Sequence, residues 1–178
     1  MRLACICAIL VAAPVWAETD PESGVSFDKE IVPSCLAKVA RERTPEDLVG
    51  DKERACISTA ANACMAAEGG STTVGMVNCL AAETEQWDKL LNEQYKSALK
   101  AVEAADADLA AAGSAAPPAA PTLKAAQRAW ITYRDESCKF ESIRYQGGTL
   151  GGPASASCML ELTAHQALRL MQLDWSLK

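Results

Sequence analysis

The sequence predicts an all-α protein: a helical bundle braced by disulfides, with three longer helices after short N-terminal ones. Alanine is abundant, and aromatic residues make up only 5% of the chain, a composition that favours helices. Apolar residues recur at helical spacing through the middle of the chain. Six cysteines follow a segment with the character of an export signal, which favours disulfide bracing.

The N-terminal segment MRLACICAILVAAPVWAETD has the pattern of a secretory signal peptide. Arg2 gives a positive start, an apolar run follows, and Ala17 is the small residue before a cleavage site, so residues 1–17 are expected to be removed. The run is too short to span a bilayer, and no later segment is long enough. Cys5 lies too near the start to carry a lipid anchor. We therefore expect a periplasmic or secreted protein without a membrane span or lipid anchor.

If residues 1–17 are removed on export, six cysteines are left in the protein. In an oxidising compartment six cysteines most simply form three disulfides, and pairing of sequence neighbours is the simplest of many arrangements. Those pairs are Cys35–Cys56, Cys64–Cys79 and Cys138–Cys158. A zinc or redox site is disfavoured because this part of the chain has no Cys-x-x-Cys, and the sequence has one histidine, His165. We expect no metal and no cofactor.

The exported chain is acidic. Without Arg2 it has 16 Lys and Arg against 23 Asp and Glu, a balance of −7. A chain with this charge and no basic cluster does not follow phosphate backbones, which excludes nucleic acid as a partner. The acidity suits either solubility alone or attraction to a basic protein.

Short helices are expected in the N-terminal third. After a loose leader over residues 18–33, a helix is predicted over residues 34–43. In TPEDL, Thr44 suits an N-cap and Pro45 the first helical position. The glycine that follows weakens this start, so the stronger helix is predicted over residues 51–70.

The longest helix is predicted to begin with Ser71 or Thr72 as its cap and to end at Gly113. Its buried face is an apolar stripe at spacings of three and four residues, formed by Trp87, Leu91, Tyr95, Ala98, Val102, Ala105 and Leu109. Residues 113–121, GSAAPPAAP, cannot be helical throughout and are predicted to be a surface linker.

Two further helices are predicted on either side of a glycine-rich loop. Thr122 is the expected cap of the first, which ends near Gln146, and residues 147–157, GGTLGGPASAS, are the loop. The last helix is expected to direct a line of residues towards the core: Cys158, Leu162, His165, Leu168, Met171 and Trp175.

No arrangement of residues indicates catalysis, and we expect a protein that is not an enzyme. His165 has no nucleophile or carboxylate beside it in the sequence. The pairs Glu83 with Glu85 and Asp106 with Asp108 are two residues apart on a helix, so their members do not face one site and solvation is the expected role. The GGTLGG segment lacks the Gly-Lys-Ser/Thr ending of a phosphate loop.

The segment LKAAQRAWITYRDESC, residues 123–138, combines aromatic and charged residues on one helix. Arg134 is predicted to reach Asp88 or Asn92 on the longest helix, because a half-buried arginine without a partner is costly. The aromatic residues of the two helices are predicted to lie in the core, namely Trp87, Tyr95, Trp130 and Tyr133.

With WDKLLNEQY (residues 87–95), GGT (147–149), Cys158 and LTAHQALRL (162–170), that segment resembles the LprI-type lysozyme-inhibitor domain family of the bacterial envelope. The core motif covers about residues 79–173, within a single domain expected over residues 34–178. The motif positions expected to be structural are Asp88, Asn92, Tyr95, Gln127, Trp130, Tyr133, Arg134 and Asp135.

The resemblance implies a non-catalytic envelope protein, with inhibition of lysozyme in some members. An acidic, disulfide-braced module would meet a basic lysozyme-type enzyme by charge complementarity. The candidate partner loop is pre-organised by the Cys138–Cys158 pair and contains Gly147, Gly148, Thr149, Gly151 and Gly152. Two alternatives remain. Either the glycines are needed only for a tight turn between helices, or the chain is a periplasmic structural or interaction module whose partner is not lysozyme, such as another basic envelope protein. A hydrolase that depends on His165 is the weakest interpretation.

Overall fold

The computed structural model describes residues 24–44 and 46–176, and within them the chain is helical without a β-strand. The elements are α1 (Ile31–Glu42), a 3-10 turn (Glu53–Cys56), α2 (Thr59–Ala66), α3 (Thr73–Ala111), α4 (Ala120–Ile143) and α5 (Gly151–Ser176). The predicted fold class is confirmed, with α3, α4 and α5 as the longer helices. In this part of the chain, no helix combines the length and apolarity needed to cross a membrane. The expected signal peptide, residues 1–17, lies outside the described residues.

Helix α5 is the centre of the bundle. It packs along α3 and also contacts α4, whereas α4 contacts α3 much less. The core contains Trp87 and Leu91 of α3 together with Leu160, Ala164 and Leu168 of α5, all buried. The small alanine side chain lets the helices approach closely, and burial of each larger apolar side chain contributes about 1.5–3 kcal/mol.

The apolar stripe of α3 is buried over only part of its length. Trp87, Leu91, Ala98 and Val102 are buried and Tyr95 is half-buried, as predicted, but Ala105 and Leu109 are exposed. The reason is the length of α5. The Ser97 hydroxyl of α3 donates to the Asp174 carboxylate at 2.7 Å, so α5 is near its end beside Ser97, and the last turns of α3 extend beyond it.

The segment before α1 is part of the packed domain, which corrects the expectation of a loose leader up to residue 33. Helix α1 begins at Ile31 rather than Ser34. Three apolar side chains in and before its first turn are buried in the core: Val25, Phe27 and Val32. Their burial offsets the entropy of ordering the segment.

The helix predicted over residues 51–70 is interrupted. The 3-10 turn is followed by Ser58, with a φ of +68°, and only then by α2. Thr44 does not cap a helix, because its backbone N–H and its hydroxyl both donate to the Asp47 carboxylate. The Lys52 ammonium, 2.6 Å from this carboxylate, and the Thr44 N–H lower the pKa of Asp47 to about 2. Pro45 lies outside the described residues.

Helix α3 begins where the sequence predicts. The Thr72 hydroxyl accepts a hydrogen bond from the Gly75 N–H at 2.9 Å, which satisfies one of the free donors of the first turn. A Cβ atom at position 75 would clash with the carbonyl oxygen of Gly69, so the preceding turn requires glycine there.

Helix α4 begins at Ala120 with Ala119 as its N-cap, so the prediction of Thr122 as cap is wrong. A carboxylate from the preceding helix provides the cap instead. Asp106 of α3 accepts the backbone N–H groups of Ala119 and Ala120, both at 2.8 Å. These two hydrogen bonds lower the pKa of Asp106 from its ordinary 3.8. The helix dipole also favours a negative charge at this end.

We expect Asp106→Asn to lower the melting temperature at pH 7 by a few degrees, because a neutral amide is a weaker acceptor for the first N–H groups of α4. A carboxyl whose pKa is lowered by folding stabilises the protein above its unfolded pKa, and this stabilisation is lost as pH falls through the folded pKa. The difference in melting temperature between wild type and variant should therefore shrink as pH falls below 3.8. Asp108→Asn, at an exposed position nearby, is the matched control and should have little effect. If the difference in melting temperature between wild type and Asp106→Asn stayed constant down to low pH, it would contradict this role of the Asp106 carboxylate.

The register of α5 differs from the predicted line. Leu168 is buried as expected, and Cys158, Leu162 and Met171 are half-buried, but His165 is exposed. Because α3 and α4 contact α5 on different sides, its buried positions form a broader face, which includes Leu160, Thr163, Ala164, Ala167, Leu168 and Leu170. The Trp175 side chain lies outside the described residues.

Candidate partner-binding surface

Three disulfides among the described residues join sequence neighbours, which confirms the simplest pairing. Cys35–Cys56 joins α1 to the 3-10 turn, Cys64–Cys79 joins α2 to α3, and Cys138–Cys158 joins α4 to α5. Each therefore connects consecutive parts of the bundle. The last one lies beside the candidate partner loop.

The motif residues divide between the core and the surface. Trp87 is fully buried, and Trp130 is half-buried against the core. Gln127 is also buried, and its side-chain oxygen accepts a hydrogen bond from Gln166 of α5 at 2.9 Å. Tyr133 is 61% exposed, so the prediction of a core position is wrong for this residue. It lies about 140° around α4 from the buried Cys138 and therefore points away from the core.

Arg134 does not reach Asp88 or Asn92. Its guanidinium forms an ion pair with Asp135 at 2.9 Å and lies over the Trp130 ring, 5.1 Å from the ring centre. The Asn92 amide instead donates to the Asp88 carboxylate within α3, at 2.8 Å. The reason is the position of α5, which takes most of the contacts that α3 and α4 would otherwise make with each other.

An apolar surface follows the second half of α4. Tyr133, Phe140, Ile143 and Leu150 are between 52% and 63% exposed. We call these four residues the α4 patch. Tyr133, Phe140 and Ile143 follow at spacings of seven and three residues, which places them on one side of α4. Several large apolar side chains exposed on one side of a helix are typical of an interaction site.

A groove with a volume of about 740 Å³ lies between α4 and α5, next to the α4 patch. Tyr133 and Phe140 line it from α4, Tyr145 lines it from the following turn, and Glu161 and Leu162 line it from α5. The Cys138–Cys158 disulfide borders it through Cys158.

The charged groups of the groove differ in their pairing. Glu141 lies 3.1 Å from the Arg144 guanidinium and is neutralised by it. Glu161 has no hydrogen-bond or ion-pair partner within the described residues, and it is exposed. Among the described residues that line it, the groove therefore presents one carboxylate without a partner, beside the aromatic side chains of Tyr133 and Phe140, a combination that suits a cationic group.

The candidate partner loop is shorter than predicted, because α5 begins at Gly151. Gly147, with a φ of +83°, turns the chain after α4, and Gly148 and Thr149 are exposed. Gly151 and Gly152 belong to the first turn of α5. Gly151 is buried against the end of α4, where a Cβ would lie 2.9 Å from the Ser142 carbonyl oxygen. Proline is tolerated in a first helical turn, which is why Pro153 does not prolong the loop.

Sequence reasoning missed a buried carboxylate in the core. Glu83 is fully buried, and it accepts the backbone N–H groups of Ser58 and Ala61, both at 2.7 Å, and the Trp87 indole N–H at 2.9 Å. The expected solvation of Glu83 is wrong, whereas Glu85 is exposed. The sequence does contain a signal for this burial, because Glu83 lies four residues before Trp87 and so continues the apolar stripe of α3.

A second buried carboxylate holds the loop before the 3-10 turn. Glu53 is 2% exposed, forms an ion pair with Arg43, and accepts the Gly50 N–H at 2.8 Å. Within the described residues no group of three or more His, Cys, Asp or Glu side chains is arranged to hold a metal ion. Both buried acids accept backbone N–H groups of the N-terminal half, Glu53 from Gly50 and Glu83 from Ser58 and Ala61.

The family model described as lysozyme inhibitor LprI matches residues 64–170, which contain the last turn of α2, all of α3 and α4, most of α5 and two of the disulfides. The chain belongs to the LprI family. The LprI region begins at Cys64, earlier than the core motif expected from residue 79, and it excludes α1, the 3-10 turn and most of α2.

An uncharacterized protein of Rhizobium meliloti (strain 1021) is 35% identical over 86 residues, which cover 48% of this LprI-family chain and 62% of that protein. The chain thus spans less than two thirds of the length of this relative. No solved structure matches.

Proposed function

We propose that this chain is an exported, non-catalytic binding module that inhibits lysozyme-type peptidoglycan hydrolases by occluding them. The observation that carries the proposal is the α4 patch beside an open groove, within the LprI-family region. The disulfides and the family are consistent with a location outside the cytoplasm. Export through residues 1–17 and release into the periplasm or medium are part of the proposal.

The chemistry of the groove supports a basic protein as partner. Tyr133 and Phe140 supply aromatic faces, whereas the Tyr145 ring already lies under the Arg144 guanidinium, and Glu161 supplies a carboxylate without a partner in the described part of the chain. An arginine or lysine side chain of the partner can lie on an aromatic face and pair with that carboxylate. The net charge of the exported chain, −7, would speed encounter with such a partner.

Occlusion rather than reaction is supported by what lines the groove. Its hydroxyl groups are those of Ser137, Ser157 and two tyrosines, and its lining contains no histidine that could serve as their base. Aromatic anchors in a concave surface are typical of protein–protein contacts. The turn at Gly147 stands at the end of this surface and is braced by the Cys138–Cys158 disulfide.

The test is the rate of peptidoglycan lysis by lysozymes of several classes with the purified chain lacking residues 1–17. We expect inhibition, and we expect Phe140→Ala to weaken it at least about 10-fold, as loss of a central aromatic anchor does. Leu109→Ala is the matched control: it removes an exposed apolar side chain at the other end of the α3–α4 hairpin and should leave inhibition unchanged. Glu161→Gln should reduce the sensitivity of inhibition to salt.

No slowing of lysis at a large molar excess, for every lysozyme tested, would reject inhibition. The alternative is an interaction module for another basic envelope protein. In that case the same surface binds the other protein. Lysis is then not inhibited, and Phe140→Ala weakens the binding of that protein.

A further inference from the structure

A second cavity, of about 350 Å³, lies where the loop before the 3-10 turn meets the middle of α5. Arg54 lines it from the 3-10 turn, His165, Arg169 and Gln172 line it from α5, and Asp51 lines it from the loop. We call it the arginine cavity. It involves neither α4 nor the groove beside the α4 patch.

Within the part of the chain that the structure describes, the two arginines of this cavity have no anionic partner. Arg54 and Arg169 form no ion pair or hydrogen bond through their side chains within the described residues, and Asp51 is not paired with either of them. Neighbouring charges are paired, since Arg43 contacts Glu53 and Lys52 contacts Asp47. Two guanidinium groups at one cavity repel each other, and a bound anion would remove this repulsion.

The backbone that carries Arg54 is held on both sides. The preceding residue, Glu53, is buried, and its carboxylate accepts a hydrogen bond from the Gly50 N–H. Cys56 is joined to α1 by its disulfide with Cys35. Gly50, with a φ of +98°, approaches α5 so closely that a Cβ would lie 3.4 Å from the Leu168 carbonyl oxygen. The loop is therefore fixed against α5.

The donors contributed by α5 share one face. His165, Arg169 and Gln172 follow at spacings of four and three, which places them in a line along the helix. Together with Arg54 they surround the cavity with N–H donors. Arginine pairs preferentially with the planar or tetrahedral oxygen groups of carboxylate and phosphate.

We propose that the arginine cavity binds a small oxyanion, a carboxylate or phosphate group, through Arg54 and Arg169, with His165 and Gln172 as additional donors. Arg54 precedes residue 64, so the cavity joins the N-terminal extension to the family region and is not contained in the part that the LprI model matches. The proposal is independent of lysozyme inhibition and of the groove.

The test is calorimetric titration of the chain lacking residues 1–17 with inorganic phosphate and, separately, with acetate, at constant ionic strength set by sodium chloride. We expect saturable binding at one site. Arg54→Gln and Arg169→Gln should each weaken it about 10-fold, as loss of one charge-assisted contact does. Tighter binding of phosphate than of acetate would assign a phosphate-type ligand, and the reverse order would assign a carboxylate.

Arg128→Gln makes the same change of charge at an exposed position of α4 that lines neither cavity, and it should leave binding unchanged. Asp51→Asn removes the carboxylate from the lining and should strengthen binding several-fold, a gain that misfolding cannot produce. Absence of saturable binding of both probes, or equal affinities for wild type and the Arg54 and Arg169 variants, would overturn the proposal.

Discussion

Replacement of Glu83 by alanine is expected to lower the free energy of unfolding by about 3–5 kcal/mol. The carboxylate is fully buried and accepts three hydrogen bonds, two from backbone N–H groups at the start of α2 and one from the Trp87 indole. Alanine would leave these three donors buried without an acceptor and would open a cavity beside Trp87. Glu83→Gln keeps one acceptor oxygen, so its loss should be smaller. Urea unfolding followed by far-UV circular dichroism measures both.

Glu85→Ala is the matched control for Glu83→Ala. It removes the same functional group two residues further along α3, at an exposed position, and should change the free energy of unfolding by no more than about 0.5 kcal/mol. The Cys64–Cys79 disulfide still joins α2 to α3 in the Glu83 variants, so they are expected to remain foldable. Equal stability of the Glu83→Ala and Glu85→Ala proteins would refute a structural role for the buried carboxylate.

Removal of the Cys138–Cys158 disulfide by a double alanine substitution should cost about 3 kcal/mol of stability, from the entropy of the open loop in the unfolded chain. It should also abolish most of the proposed inhibition. The other polar contacts that join α4 to the bundle lie at its start and in its first half, namely the Asp106 cap, the Lys124–Glu103 ion pair and the Gln127–Gln166 hydrogen bond, and Trp130 packs against the core there too. Without the disulfide, the half that carries Phe140 loses its cross-link to α5 and is joined to it only through the turn of residues 144–150, so the spacing of the two helices at the groove is less constrained. Thermal unfolding and the lysis assay measure the two effects.

The double alanine variant of Cys64 and Cys79 separates the two effects. This disulfide closes a loop of similar length, with a sequence separation of 15 against 20, so the loss of stability should be similar. It joins α2 to α3 and does not border the groove. Inhibition should therefore survive at temperatures where the protein stays folded. Unimpaired inhibition after removal of Cys138–Cys158 would show that the groove is not the binding surface.

Much of the fold follows from local features of the sequence. The Thr72 cap, the glycine at position 113 and the apolar spacing from Trp87 to Val102 act within a few residues of each other, so they can be read without a tertiary structure. The disulfide pairing was also predicted correctly, because consecutive elements pack against each other and bring sequence neighbours together.

Features that join distant elements were missed. The cap of α4 is Asp106, which belongs to α3, and the cap of α2 is Glu83, which also belongs to α3. Neither carboxylate is near its helix start in sequence, so cap patterns could not reveal them. The candidate site was predicted only in part, since the loop at Gly147 was named but the exposed Tyr133 was assigned to the core.

The sequence by itself determined that the protein is helical, where its longest helix begins and to which family it belongs, because these depend on composition, on short-range spacing and on motif. It left the cysteine pairing open among many arrangements, and the structure selected pairing of sequence neighbours. Only the tertiary structure decided which faces are covered. Helix α5 takes the contacts with both α3 and α4, which leaves Phe140 exposed, pairs Arg134 within its own helix, and brings Arg169 to the same cavity as Arg54. Helical periodicity identifies a face, but the neighbour that buries it is selected by packing between distant segments.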